Sequence, residues 1–346
     1  MHVPDLGRIA LGLALGTLGG VVFHALALPL PWMLGALCVT MTAAVARLPV
    51  AGPIRIRPAV VAVIGVLLGS RFTPEVVDQA AQAAVTVAIL LVYLALVAVV
   101  VVPFYRFVGR QDWTTAYFAG MPGGLSEMIE LGEAKGADVP AIVLAHSLRI
   151  VVTIGLMALL FRFGLGHEVG TGATQPTEAP LGAVDALVLA ACAVVGAVLG
   201  TRLRLPAPTF LGPLILSAAV HLVGWTESVP PALLVNAAQV ALGTMLGCRF
   251  QGIVPGVLAR AGLLSLGATG LTLALAGLGA VAMLELAGVG IDQALLALAP
   301  GGLTEMGLIA LAINADVAFV ALHHVLRILV VIVVAPLALP LLVRRR

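Results

Sequence analysis

The sequence predicts an all-α integral membrane protein built from two inverted repeats, each of about five transmembrane helices plus one re-entrant hairpin with a Pro-Gly-Gly tip. Three observations predict it: an extreme apolar composition, a duplication running through the chain, and the distribution of Lys and Arg. Of 346 residues, 61% are hydrophobic and only 10% charged, with a mean hydropathy of +1.16. No soluble fold of this size hides that much apolar surface, so lipid is the expected solvent.

The duplication is read from identities. Pro122-Gly-Gly-Leu-Ser-Glu-Met128 recurs as Pro300-Gly-Gly-Leu-Thr-Glu-Met306, an offset of 178. The same offset relates Gly69-Ser-Arg-Phe72 to Gly247-Cys-Arg-Phe250, Asp138 to Asp316, His146 to His324, and Leu148-Arg-Ile150 to Leu326-Arg-Ile328. Leu28-Pro-Leu-Pro31 pairs with Leu205-Pro-Ala-Pro208 at 177. The expected organisation is a first membrane repeat over 1–163, a polar linker over 164–180 and a second repeat over 181–346.

Six apolar elements are expected in each half, at 9–28, 31–46, 58–70, 83–104, 113–134 and 139–161, then at 181–201, 208–224, 232–247, 261–284, 291–313 and 317–342. The first follows Arg8 and contains Ala25-Leu26-Ala27, which imitates a secretory leader. Its counterpart at the start of the second half argues that it is a retained span. The 58–70 element, between Arg57 and Arg71, is short against the ~20 residues that a span of ~30 Å needs. In the fifth element of each half, Pro-Gly-Gly interrupts after about nine residues, enough for only ~14 Å of helix. It is therefore either a re-entrant hairpin or a broken helix that continues across.

Charge decides between these. With both fifth elements re-entrant, fourteen Lys and Arg fall on the cytoplasmic side and two outside; with both crossing, the split is ten to six. The positive-inside bias favours re-entrant hairpins, both termini cytoplasmic, and a location in the cytoplasmic membrane. Five spans per half is an odd number, so the second half is expected upside down relative to the first, an arrangement common in transporters.

The candidate site is assembled from the tips and the intramembrane charges. Gly123, Gly124 and Ser126, with Gly301, Gly302 and Thr304, put helix N-termini and hydroxyls where an anionic group can bind. Arg149 and Arg327 lie within spans, where a charge is costly and calls for a reason. They either contact a substrate carboxylate or pair with a glutamate. His146 and His324 precede them by three residues, on the same helix face. Glu127, Glu305 and these histidines are the candidates for coupling proton movement to transport. Asp138 and Asp316 begin the sixth elements as expected helix caps, with a cation site of Asp138, Asp316 and tip carbonyls as the alternative.

Other classes find little support. Net charge is +2 with no basic stripe, so no nucleic-acid partner is expected. Cys38, Cys192 and Cys248 stand alone in apolar runs, and His323-His324 lacks a third ligand at helical spacing, so no metal site is expected. There is no GxxxxGK[ST] motif for ATP-driven pumping. The expected protein is not an enzyme and needs no cofactor beyond H+ or Na+ as coupling ion. Its partners are a small solute, the lipid bilayer and a second copy in a possible homodimer.

Together, PGGLSEM/PGGLTEM, Asp138/Asp316, the HSLRI/HVLRI blocks and the Leu-Gly-x-Arg-Phe copies resemble the duplicated AbrB-type membrane proteins over nearly the whole chain. Members of that family are often called transcriptional regulators or ammonia monooxygenases. The chain offers neither a soluble basic module nor a copper or iron constellation to match those names. The expected function is secondary transport of a small anionic or zwitterionic solute by alternating access, with a midplane site between the two tips. The alternative is a membrane-embedded ligand sensor that affects gene expression indirectly.

Overall fold

The computed structural model describes residues 5–72, 83–167 and 181–343. Most of the expected linker, at 168–180, and the arginines at 344–346 that weigh in the charge count lie outside the described residues. Fourteen α-helices and no strand occur among the described residues. The first half supplies α1 (Leu6–Ala25), α2 (Pro31–Val45), α3 (Arg57–Gly69), α4 (Ala83–Phe107), α5 (Trp113–Gly120), α6 (Leu125–Glu133) and α7 (Val139–Leu159). The second supplies α8 (Ala183–Arg202), α9 (Pro208–Leu222), α10 (Ala232–Gly247), α11 (Pro255–Ala287), α12 (Ile291–Leu298), α13 (Leu303–Ala312) and α14 (Val317–Val343).

Seven helices among the described residues are long and apolar enough to cross a membrane: Leu6–Ala25, Ala84–Phe107, Val139–Gly164, Ala183–Arg202, Ala232–Phe250, Pro255–Ala287 and Val317–Leu339. The elements expected at 31–46 and 208–224 form shorter helices, α2 and α9, whose 15 residues each reach about 22 Å. The fifth element of each half is broken where Pro-Gly-Gly falls, into α5 and α6 and into α12 and α13.

The helices gather into two compact units, and each unit draws on both halves of the chain. One comprises Met1–Val77, Gly155–Pro255 and Gly307–Ala318; the other comprises Asp78–Ile154, Gly256–Met306 and Phe319–Arg346.

In the first unit, α1 packs on α2, α2 on α10, α8 on α9 and α9 on α3. Lipid tails are as apolar as leucine, so helices there associate by close backbone approach at small residues. Gly19 and Gly35 bring α1 and α2 so close that a Cβ on either would strike the other's backbone, and Gly196 and Gly212 do the same for α8 and α9. On α3, Gly65 and Gly69 lie against the carbonyls of Phe210 and Leu214; on α10, Gly243 and Gly247 lie against those of Met33 and Leu37. Each of these contacts has its counterpart 177 or 178 residues away. Cys192 packs with Val66, Leu189 and Val220. The short helices α2 and α9 both follow a residue in the left-handed region, Leu30 at φ 44° and Ala207 at φ 46°. Each is then started by proline at a position where no N–H is needed.

In the second unit, α4 packs on α5 and α5 on α6, while Gly279 of α11 receives the Leu298 side chain of α12. A hydrogen bond of 3.0 Å joins His323 Nε2 on α14 to Thr86 Oγ1 on α4. Asp112 starts α5 by accepting from the backbone N–H groups of Thr114 and Thr115 at 2.9 and 3.0 Å. Trp113, the first residue of that helix, meets Phe107 edge to face and lies under the Arg106 guanidinium.

A candidate binding site at two helix breaks

The breaks have a local cause. A residue before proline is pushed out of the helical region, and Met121 and Ala299 accordingly adopt extended ψ values of 134° and 139° ahead of Pro122 and Pro300. The chain resumes helix after Gly124, itself extended at ψ 143°. A side chain on Gly124 would collide with the Glu127 carboxylate, and one on Gly302 with that of Glu305. In each half the glutamate three residues on folds back over the glycine that opens the helix, as the acid of a capping box does. Beside the breaks, Met128 and Met306 are fully buried and fill the space that a Cβ on Gly123 or Gly301 would need. The repeated motif is thus a turn that packs largely against itself, and Ser126 stays exposed at its surface.

The break leaves the last carbonyls of α5 and α12 without intrahelical partners. Arg149 fills that role in the first half. Its Nη1 donates to the Met121 carbonyl at 3.0 Å and its Nη2 to the Gly123 carbonyl at 3.3 Å. His146 Nε2 reaches the Phe118 carbonyl at 2.8 Å, and His146 Nδ1 meets Arg149 Nη2 at 3.1 Å. The second half repeats this bond for bond. Arg327 donates to the carbonyls of Ala299 and, at 2.8 Å, Gly301. His324 Nε2 meets the Leu296 carbonyl at 2.9 Å and its Nδ1 meets Arg327 Nη2 at 3.2 Å. Every partner stands 178 residues from its counterpart.

The network fixes the proton on each ring. A carbonyl only accepts and a guanidinium only donates, so each imidazole carries its hydrogen on Nε2 and offers the Nδ1 lone pair to arginine. The arginine charge sits at the negative end of a short helix, which stabilises a cation that burial would otherwise disfavour.

Sequence reading offered Arg149 and Arg327 a substrate carboxylate or a glutamate; the structure gives their terminal nitrogens backbone carbonyls. Arg149, Arg327, His146, His324 and Glu305 are buried, Glu127 and Thr304 half-buried. Both helix breaks, both arginines and both histidines belong to one compact unit. Gly123 also packs against Val331, one turn past Arg327, so the first helix break lies on the last helix of the second half.

Asp138 accepts from the Ala141 N–H at 3.1 Å, capping α7, while its own N–H donates to Thr115 Oγ1 at 2.8 Å. Asp316 immediately precedes α14. Among the described residues, no three His, Cys, Asp or Glu side chains gather where one metal ion could be held. A residue missed in the sequence is Tyr93 of α4. It is 2% exposed and within electrostatic range of both Arg149 and Arg327; a single tyrosine in an apolar run gives no signal of this.

Seven long apolar helices among the described residues, with two further pairs of short helices broken at Pro-Gly-Gly and held by buried arginines, define the class: a helical protein compatible with multiple membrane passes. The chain belongs to the AbrB family, whose model, described as "Transition state regulatory protein AbrB", matches residues 32–343. It is 26% identical to "Uncharacterized protein YhjN" of Bacillus subtilis (strain 168), over 96% of this chain and 92% of that protein. It is also 26% identical to "Putative regulator AbrB" of Escherichia coli (strain K12), over 80% of this chain and 79% of that protein. No solved structure matches the chain.

Proposed function

We propose that the protein is a secondary transporter of the cytoplasmic membrane, carrying a small anionic or zwitterionic solute by alternating access. In this reading the chain is two inverted repeats, the helix breaks are re-entrant tips, and both termini are cytoplasmic. The observation that carries it is the doubled clamp: Arg149 with His146, and Arg327 with His324, hold two interrupted helices open within one compact unit. Interrupted helices whose N-termini face a polar interior are how transporters present donors to a solute at membrane depth.

The roles follow from position. The N–H groups and hydroxyls at Ser126 and Thr304, beside Gly123, Gly124, Gly301 and Gly302, together with Arg149 and Arg327, receive the anionic group. Glu127 and Glu305 exchange the coupling proton. Protonation of His146 or His324 at Nδ1 would break its bond to arginine, so a proton taken up there would loosen a tip. If sodium is the driving ion, Asp138 and Asp316 are the residues to test.

The test is uptake of labelled amino acids and mono- and dicarboxylates into proteoliposomes, with and without imposed H+ or Na+ gradients. Gradient-dependent accumulation is expected. Solutes that bind but never cross under any gradient would refute transport and favour the sensor reading, to which the name of the Escherichia coli relative points.

A further inference from the structure

Among the buried donors with no protein acceptor in the described residues of the unit that carries both helix breaks, three belong to side chains in electrostatic range of one another: Nε of Arg149, Nε of Arg327 and the hydroxyl of Tyr93. The residues are 7%, 3% and 2% exposed. They come from α7, α14 and α4, hence from both halves of the chain. Tyr93 lies within electrostatic range of both guanidiniums, and the guanidiniums within range of each other. The contact of Gly123 with Val331 brings the carbonyl group that Arg149 holds onto the helix that carries Arg327.

Buried donors are almost always paired, and an orphan calls for an acceptor from elsewhere. Here the tip carbonyls satisfy the terminal nitrogens of each arginine, and the remaining N–H of each is left over. Two like charges in a low-dielectric interior also repel strongly. A compact oxyanion answers both needs, since its oxygens accept from all three donors and its charge offsets the pair.

We propose that Arg149 Nε, Arg327 Nε and the Tyr93 hydroxyl together bind the carboxylate of a small solute, with Tyr93 as the residue that selects for an acceptor. This rests on the transporter reading only in taking that solute as the one carried; the binding is measurable without any gradient. Tyr93→Phe is the informative variant, because it removes one hydroxyl and leaves both arginine clamps in place.

The experiment is calorimetric titration of the full-length protein in lipid nanodiscs with acetate, succinate and chloride, for wild type and Y93F. A carboxylate is expected to bind wild type and to bind Y93F about tenfold or more weakly, the loss of one hydrogen bond to a charged ligand. Thermal unfolding without ligand checks that Y93F remains folded. Failure of both carboxylates to bind wild type, equal binding by a folded Y93F, or chloride binding as tightly as the carboxylates would overturn the assignment. Binding without uptake would sink the transporter reading alone. Gradient-driven uptake with wild-type affinity in Y93F would sink this site alone.

Discussion

Arg149→Ala is the perturbation whose cost can be worked most directly from the clamp. It deletes donors to the Met121 and Gly123 carbonyls and to His146 Nδ1, at 3.0, 3.3 and 3.1 Å. Hydrogen bonds to a charged group contribute about 1.5–3 kcal/mol each. No longer burying a guanidinium returns part of that, so the net loss is expected at about 3–5 kcal/mol, the three bonds less the recovered cost of burying the charge. A loss of that size lowers the unfolding temperature by on the order of 5 °C in a chain this long. Thermal unfolding of purified protein in detergent micelles reads it, and Arg327→Ala should match because its bonds correspond one for one. Since His146 and Arg149 share one network, His146→Ala combined with Arg149→Ala should fall short of additive by roughly 1 kcal/mol. Unfolding of both arginine variants within 1 °C of wild type, or strict additivity, would refute the clamp as the element that stabilises the helix breaks.

Further outcomes follow from the same contacts. Gly212→Ala drives a methyl into the Gly196 carbonyl and should destabilise by about 1–3 kcal/mol; unchanged thermal unfolding would show that α8 and α9 do not approach this closely. Asp138→Ala removes the α7 cap and should cost about 1 kcal/mol, measurable by the same unfolding assay, with Asp138→Asn close to wild type. Asp112, in the segment ahead of α5, gives a pH signature. Burial pushes its carboxyl upward, but hydrogen bonds from the Thr115 side chain and from the Thr115 and Thr114 backbone outweigh this and hold it below its ordinary value. Its folded value being depressed, its stabilising contribution is complete above the unfolded value near 3.8 and disappears as pH falls through the folded one. Asp112→Asn should therefore flatten the acid limb of the stability profile, and an unaltered limb would count against the cap.

Much of the fold is legible because the sequence writes its main motifs twice, 177 or 178 residues apart. The Pro-Gly-Gly breaks are visible because proline and glycine act through the backbone, in a way any sequence displays. The helix at 58–70 is the instructive case: too short for a span by length, it forms as Arg57–Gly69 because Gly65 and Gly69 let α3 press onto α9. The second-half counterpart of 83–104 runs longer than its apolar core, starting at Pro255, where a proline fits the first turn. At the site, the His-x-x-Arg spacing exposes a shared helix face, but the partners are backbone carbonyls 26 and 28 residues away, and a carbonyl has no letter in the sequence. Tyr93 is hidden for a related reason. Its aromatic ring suits an apolar run, and only the folded chain sets its hydroxyl near two cations.

The chain passes repeatedly from one compact unit to the other, and neither half of the sequence contains a whole unit. Severing the polypeptide between residues 167 and 181 would therefore yield two fragments that are each unfinished, expected to function only when produced together.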